Sequence, residues 1–229
     1  NAATVDRPSG SVANPNCTTM DLAMAAGPRH RAAGLRSMVA TSYQSVSGSG
    51  MAGIDELMRQ TDSLRPNPDA LREGGFEEPD AEVYVAPIGF NVVPFVGSEK
   101  EQGYTDEEWK LVNETRKILS APDIEVEPTC VRVPVVTGHG IAATMWFERE
   151  MGVAEATQLL EAGPGVQVWT DDVPTPLDSA GIDDVLVGRL RNTVGAPGGI
   201  NLWLVGDNLR KGAALNAVQL AELVAAESG

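Results

Sequence analysis

Cys17, Arg132 and His139 are the side chains of this 229-residue sequence whose types and settings could carry chemistry. Cys17 stands in Asn14-Pro15-Asn16-Cys17-Thr18-Thr19-Met20, between turn-forming residues and a stretch, Thr18 to Ala26, that reads as a helix. At a helix N-terminus the unpaired backbone N–H groups and the positive end of the dipole favour a thiolate, the nucleophilic form. The competing reading is a small buried core cysteine. Arg132 is flanked by valines in Glu127 to Thr137, which reads as a strand. A lone arginine there lies at an edge or is held for an anion. His139 follows seven residues on, between Gly138 and Gly140, where a flexible loop could bring the ring to a reacting atom. The other histidine, His30, reads as a loop or structural residue, and Cys130 as a packed cysteine beside Arg132.

Two further groups join them. Asp106 to Leu119 reads as an amphipathic helix, with acids in its first turn and Glu114 and Lys117 three apart on one face. A solvated surface ion pair is the ordinary reading of such spacing. Gly48, Gly50 and Gly53 match G-x-G-x-x-G between a strand and a short helix, Ile54 to Gln60. A dinucleotide-binding unit would continue into a second parallel strand. This chain runs instead into the loop Leu64-Arg65-Pro66-Asn67-Pro68-Asp69, so a looser ligand-holding role fits better.

The elements that must position these residues alternate strand and helix. Leu35 to Tyr43 alternates apolar and polar residues as a strand does. Arg65 to Ala81 reads as a long surface excursion, Glu82 to Pro87 as a strand, and Val153 to Ala162 as a helix. Ala142 to Glu150, Val166 to Thr170, Val185 to Asn192 and Ile200 to Gly206 read as strands. The first helix should stop at Gly27-Pro28. The last, Leu209 to Ala226, is capped by Asp207 or Asn208 and is apolar on two opposite faces, which predicts burial on both. A net charge of −15 argues against nucleic acid and anionic membranes as partners. No apolar run is long enough to span a bilayer. Two cysteines suggest a reducing compartment, and residues 1–11 lack a signal-peptide pattern, so a cytoplasmic protein is expected. No metal site is expected.

Taken jointly, Cys17, Gln44, Glu114, Lys117, Arg132 and His139 are a nucleophile, an amide, an ion pair, a forked cation and a base. The set resembles that of the aspartate-β-semialdehyde dehydrogenases. Six pieces in the right order carry the likeness: Asn14 to Thr19, Tyr43 to Gly50, Phe90 to Pro94, Asn113 to Lys117, Cys130 to His139, and Gly206 to Ala214. The resemblance implies a reaction in which Cys17 forms a thioester between aspartate β-semialdehyde and β-aspartyl phosphate, with NADP as hydride carrier and phosphate as co-substrate. That step supplies the precursor of lysine, threonine and methionine. It implies His139 as general acid/base, Gln44 orienting the intermediate, Arg132 on the α-carboxylate, Glu114 on the α-ammonium and Lys117 on phosphate. Ser47, Gly48, Gly50 and Asn208 would lie beside the nicotinamide.

The resemblance also implies an α/β (α+β) fold. It would be a mixed, largely antiparallel sheet with helices on one face, like the catalytic domain of glyceraldehyde-3-phosphate dehydrogenase, forming a homodimer. The family places a nucleotide-binding domain and a phosphate-binding arginine before the cysteine. Only sixteen residues precede Cys17 here. The expectation is therefore a catalytic and dimerisation domain over 1–206 and a C-terminal helix over 207–229 that packs on the nucleotide domain, inactive by itself. Alternatives are N-acetyl-γ-glutamyl-phosphate reductase, a non-catalytic oligomerisation module, and a Cys/His hydrolase.

Overall fold

The computed structural model describes residues 12–226; the stretch 1–11, expected to be irregular, lies outside the described residues. In chain order the elements are α1 (Cys17–Ala33), β1 (Leu35–Gln44), α2 (Gly50–Leu64), α3 (Pro68–Glu73), α4 (Asp106–Ile118), β2 (Glu125–Arg132) and β3 (His139–Phe147). There follow α5 (Val153–Glu161), β4 (Val166–Trp169), α6 (Pro176–Ser179), β5 (Val185–Asn192), β6 (Gly199–Gly206) and α7 (Leu215–Ala226).

Strand alternation sorts the side chains into two faces. Met38, Ala40, Ser42 and Gln44 of β1 and Ile141, Ala143, Met145 and Phe147 of β3 are buried, whereas Val39 and Tyr43 stay partly exposed. Helix α1 lies on the buried face, placing Leu22, Ala25 and Ala26 in the main core, and α4 and α5 flank it. The six strands run in the order β2-β1-β3-β6-β5-β4. The three central pairings are antiparallel and the two edge pairings, β1 with β2 and β4 with β5, are parallel. This is the mixed, largely antiparallel sheet expected. Register aligns the ends that matter. Gln44 pairs with Arg132, Tyr43 with Gly140, and His139 with Gly206. The ends of β1, β2 and β6 and the start of β3 therefore share one edge with the N-terminus of α1.

Several local readings are corrected. Helix α1 runs through Gly27-Pro28 to Ala33, so Arg29-His30-Arg31 are helical. Pro28 removes one backbone donor, and burial of Ala25, Ala26, Arg29 and Ala33 carries the helix past it. His30 is structural as expected, its Nδ1 accepting from the Leu35 N–H. Residues 82–87 form no strand. Their backbone bonds to side chains of α2 instead: Glu56 accepts from the N–H groups of Glu82 and Val83. Beyond Arg132 the chain leaves strand geometry, and β3 starts three residues earlier than expected, at His139 itself. Helix α2 begins at Gly50, the fingerprint's second glycine; a strand parallel to β1 does come, β2, but only after α3 and α4. The C-terminal segment opens with a π-helical turn, Arg210–Ala214, preceded by Asp207, whose carboxylate accepts from the N–H groups of Leu209 and Arg210. Helix α7 is not buried on both sides: Asn216 is its one buried residue, and Val218 and Leu223 are exposed.

Arg29 is the costly residue in this core. It is fully buried, its Nε donating to the Ala25 carbonyl and Nη2 to the Met145 sulfur, while Nη1 has no partner. Burial pulls its pKa down to about 9. No carboxylate forms an ion pair with it among the described residues. Replacing an ill-compensated buried charge with an apolar side chain stabilises a fold by about 1–3 kcal/mol. Arg29→Leu is therefore expected to raise the urea midpoint at unchanged slope; a lower midpoint would show that the guanidinium's two bonds outweigh its desolvation.

Candidate active site

The site is assembled at the sheet edge just described. Asn16 caps α1, its Oδ1 accepting from the backbone of Thr18 and Thr19, so Cys17 is the first helical residue. The Cys17 Sγ lies 3.3 Å from His139 Nε2. The Ser45 backbone N–H, which can only donate, points at the other ring nitrogen, Nδ1, at 3.1 Å. Nδ1 must accept, so the neutral ring carries its proton on Nε2, aimed at the sulfur. His139 is not on a flexible loop. The ring is fully buried at the start of β3, Gly138 makes a turn with φ 93°, and Gly140 leaves room for the Trp203 ring.

A cavity of about 430 Å³ opens over the sulfur, lined among others by Gln44, Glu107, Lys110, Arg132 and Tyr84. Arg132 Nη1 donates to the Ser45 carbonyl at 2.8 Å, and Nε is buried without a partner. Gln44 donates to Thr18, Ser42 and Glu107, which fixes its amide at the cavity wall. The Glu107 carboxylate accepts from Asn16 and Gln44 and lies 3.4 Å from Lys110. The cavity thus combines a sulfur, an imidazole N–H, a forked cation, a compact cation and a carboxylate.

Two expected residues are elsewhere. Glu114 and Lys117 do not line the cavity. Glu114 accepts from the Asn16 backbone N–H and so fastens the start of α1, while Lys117 is exposed. Glu107 and Lys110 repeat the same spacing seven residues earlier, two turns nearer the sulfur and on the same helical stripe. Periodicity cannot choose between the pairs. Of the residues expected beside a cofactor, Ser47 and Asn208 are buried and bonded to each other. Asn208 Oδ1 also accepts from Gly138 and Ser45, so its oxygen braces the turn before His139. Gly48 lines the cavity with Ser49, and Gly50 is exposed at the start of α2. Of this set Gly48 alone borders the cavity beside Cys17. The parallel strands β1 and β2 are joined through α2, α3 and α4 rather than by the single helix of a compact βαβ unit that binds a pyrophosphate.

Electrostatics reverse one expectation. Burial, then the charges of Glu107 and Asp21, push the Cys17 thiol up to about 11, against the hydrogen bonds at the helix start. Burial and the Arg132 charge pull His139 down to about 3. Both shifts favour the neutral thiol and the neutral imidazole over an ion pair. Asp21, one turn beyond Cys17, is fully buried and neither oxygen has a partner. Burial raises its pKa to about 8, against the pull of Lys211, so it too is mostly neutral near pH 7. Sequence reading missed Asp21. Cys130 is buried as expected.

A family model, the dimerisation domain of semialdehyde dehydrogenases, matches residues 27–211. The chain belongs to this family. Among curated relatives, this semialdehyde dehydrogenase domain is similar to the aspartate-semialdehyde dehydrogenase of Streptomyces akiyoshiensis, 49% identical over 97% of this chain and 66% of that protein. The Mycolicibacterium smegmatis enzyme of the same name is 48% identical over 95% of this chain and 64% of its own length. The chain thus spans about two thirds of the length of these relatives. Among solved structures, Vibrio cholerae aspartate semialdehyde dehydrogenase II complexed with ASA superposes with a TM-score of 0.86 at 42% identity, over 93% of this chain and 62% of that one. The expected glyceraldehyde-3-phosphate dehydrogenase-like catalytic fold stands.

The neutral couple sets a measurable profile. Iodoacetamide labelling of Cys17 should climb with pH to a midpoint near 11, and Glu107→Gln should lower that midpoint. A wild-type rate that is already flat from pH 7 upward would mean a resting thiolate.

Proposed function

We propose that this chain carries the chemical half of an aspartate-semialdehyde dehydrogenase, interconverting β-aspartyl phosphate and aspartate β-semialdehyde through a Cys17 thioester. The observation that supports it is the convergence of Cys17, His139, Arg132, Glu107 and Lys110 on one cavity, together with the relatives' shared name.

In the reductive direction the Cys17 sulfur attacks the acyl carbon, its thiol proton passes to the departing phosphate, and hydrogen phosphate leaves. Backbone N–H groups at the start of α1 and the His139 Nε2–H are the donors available to the oxygen that becomes charged. NADP, when bound, supplies or accepts the hydride that relates thioester to thiohemiacetal. Nε2–H then serves the thiohemiacetal oxygen, and its collapse returns the thiolate and frees the aldehyde. Arg132 grips the α-carboxylate. Glu107 takes the α-ammonium and Lys110 the phosphate, the tasks expected of Glu114 and Lys117. A carboxylate for the ammonium disfavours an N-acetylated substrate.

Two surfaces complete the reading. The outer sheet face, with half-exposed Val39 and with Tyr43 against Trp203 at 5.6 Å, suits a second copy in a homodimer. The apolar groove of Val12, Ala217, Leu220 and Val224 suits the nucleotide-binding part of the enzyme. No helix among the described residues is long and apolar enough to cross a membrane.

Acylation needs no nicotinamide, so this chain alone tests the chemistry. Incubation with β-aspartyl phosphate should add one aspartyl group to Cys17 by intact mass. Cys17→Ala should abolish the adduct and Glu107→Gln should slow it about tenfold or more, as expected when a charged hydrogen-bond partner is lost. Glu114→Gln should change it less. Acylation by N-acetyl-γ-glutamyl phosphate but not by β-aspartyl phosphate would overturn the assignment.

A further inference from the structure

The irregular segment 80–90 crosses the mouth of the cavity with none of the ladder bonds of a strand. Its backbone is pinned by two buried polar residues of α2. Glu56 accepts from Glu82 at 3.0 Å and Val83 at 2.6 Å. Gln60 accepts from Ile88 and Gly89 and donates to the Asp80 carbonyl. Five of the segment's backbone groups are thereby satisfied by two side chains, one turn apart, that are 3% and 0% exposed. Burying a carboxylate and an amide in α2 would be costly without these bonds, so the two residues and the segment hold each other in place.

What the pins position is Tyr84. Val83 and Val85 point outward, whereas the Tyr84 ring turns in and packs with Val46, Leu57, Ile88 and Val93. Its hydroxyl occupies the space above Gly53, where any side chain would collide with it, and reaches the Val46 carbonyl at 3.5 Å. The Arg132 guanidinium carbon stands 5.6 Å over the ring centroid. Arg132 has no ion-pair partner among the described residues, only the Ser45 carbonyl on Nη1. One hydrogen bond fixes a point; a ring under the plane fixes its tilt.

We infer that Tyr84 is a positioning residue, which Glu56 and Gln60 hold beneath Arg132 so that the guanidinium presents its free edge to a carboxylate beside Cys17. The inference rests on the reading of Arg132 as the carboxylate site and extends it to the segment that makes that site selective for anions.

The test compares alkylation of Cys17 in this chain by iodoacetate, which carries a carboxylate, and by iodoacetamide, which is neutral and similar in size. The ratio of the two rates reads the placement of the cation, because a general loosening of the site changes both together. Wild type should favour iodoacetate, and Arg132→Leu should abolish the preference. Tyr84→Leu should cut the ratio by about 3- to 30-fold, the range cation–π contacts span from exposed to desolvated. Tyr84→Phe, which keeps the ring, should restore it. Glu56→Ala leaves the ring intact and releases the backbone at residues 82 and 83 together with one bond from the Gln60 amide, so it reaches the same ratio by a second route if Tyr84→Leu folds poorly. A ratio lost in Arg132→Leu but unchanged in both Tyr84→Leu and Glu56→Ala overturns this inference and leaves the carboxylate site standing. A wild type without preference overturns both.

Discussion

Everything in this structure depends on bringing the first residue of one helix against the first residue of one strand, 122 positions apart in sequence. A sulfur–imidazole contact of 3.3 Å tolerates little error. The helix is fixed from three directions: the Asn16 cap, the Glu114 bond to the Asn16 backbone, and the burial of α1 on the sheet. The strand is fixed by its antiparallel neighbours on both sides and by Asn208, which ties the turn at Gly138 to Ser45 and Ser47. Register does the rest. A one-residue slip between β1 and β2 would turn Arg132 or Gln44 to the outer face.

Much of this was legible in the residues. Asn16 before Cys17 announces a capped helix, and the spacing of Arg132 and His139 survives as the end of one strand and the start of the next. The alternation in β1 marks the core face, because one side of the sheet is covered and the other is not. The capped start of α4 was readable from its acids.

What was not legible has physical causes. Glu107 and Lys110 share a helical stripe with Glu114 and Lys117, so only the distance to the sulfur separates them. Segment 82–87 has a strand's composition, but its donors are taken by Glu56 before any strand can pair with it. Gly27-Pro28 should end a helix by local preference, and tertiary burial overrules it. The thiolate expectation treated the helix start as the dominant influence. Burial and the Glu107 carboxylate outweigh it once the site is closed around the sulfur. Asp21 and Arg29 are charged residues on the buried face of α1, and no pattern of apolar residues marks them as interior.

The protonated state of Cys17 has a consequence for durability. Peroxides and other cellular oxidants react with sulfur anions far faster than with neutral thiols. A thiol whose ionisation is disfavoured is a poorer substrate for conversion to sulfenic and sulfinic acids. Burial, and then the Glu107 and Asp21 carboxylates, disfavour the sulfur anion and with it this route of oxidation.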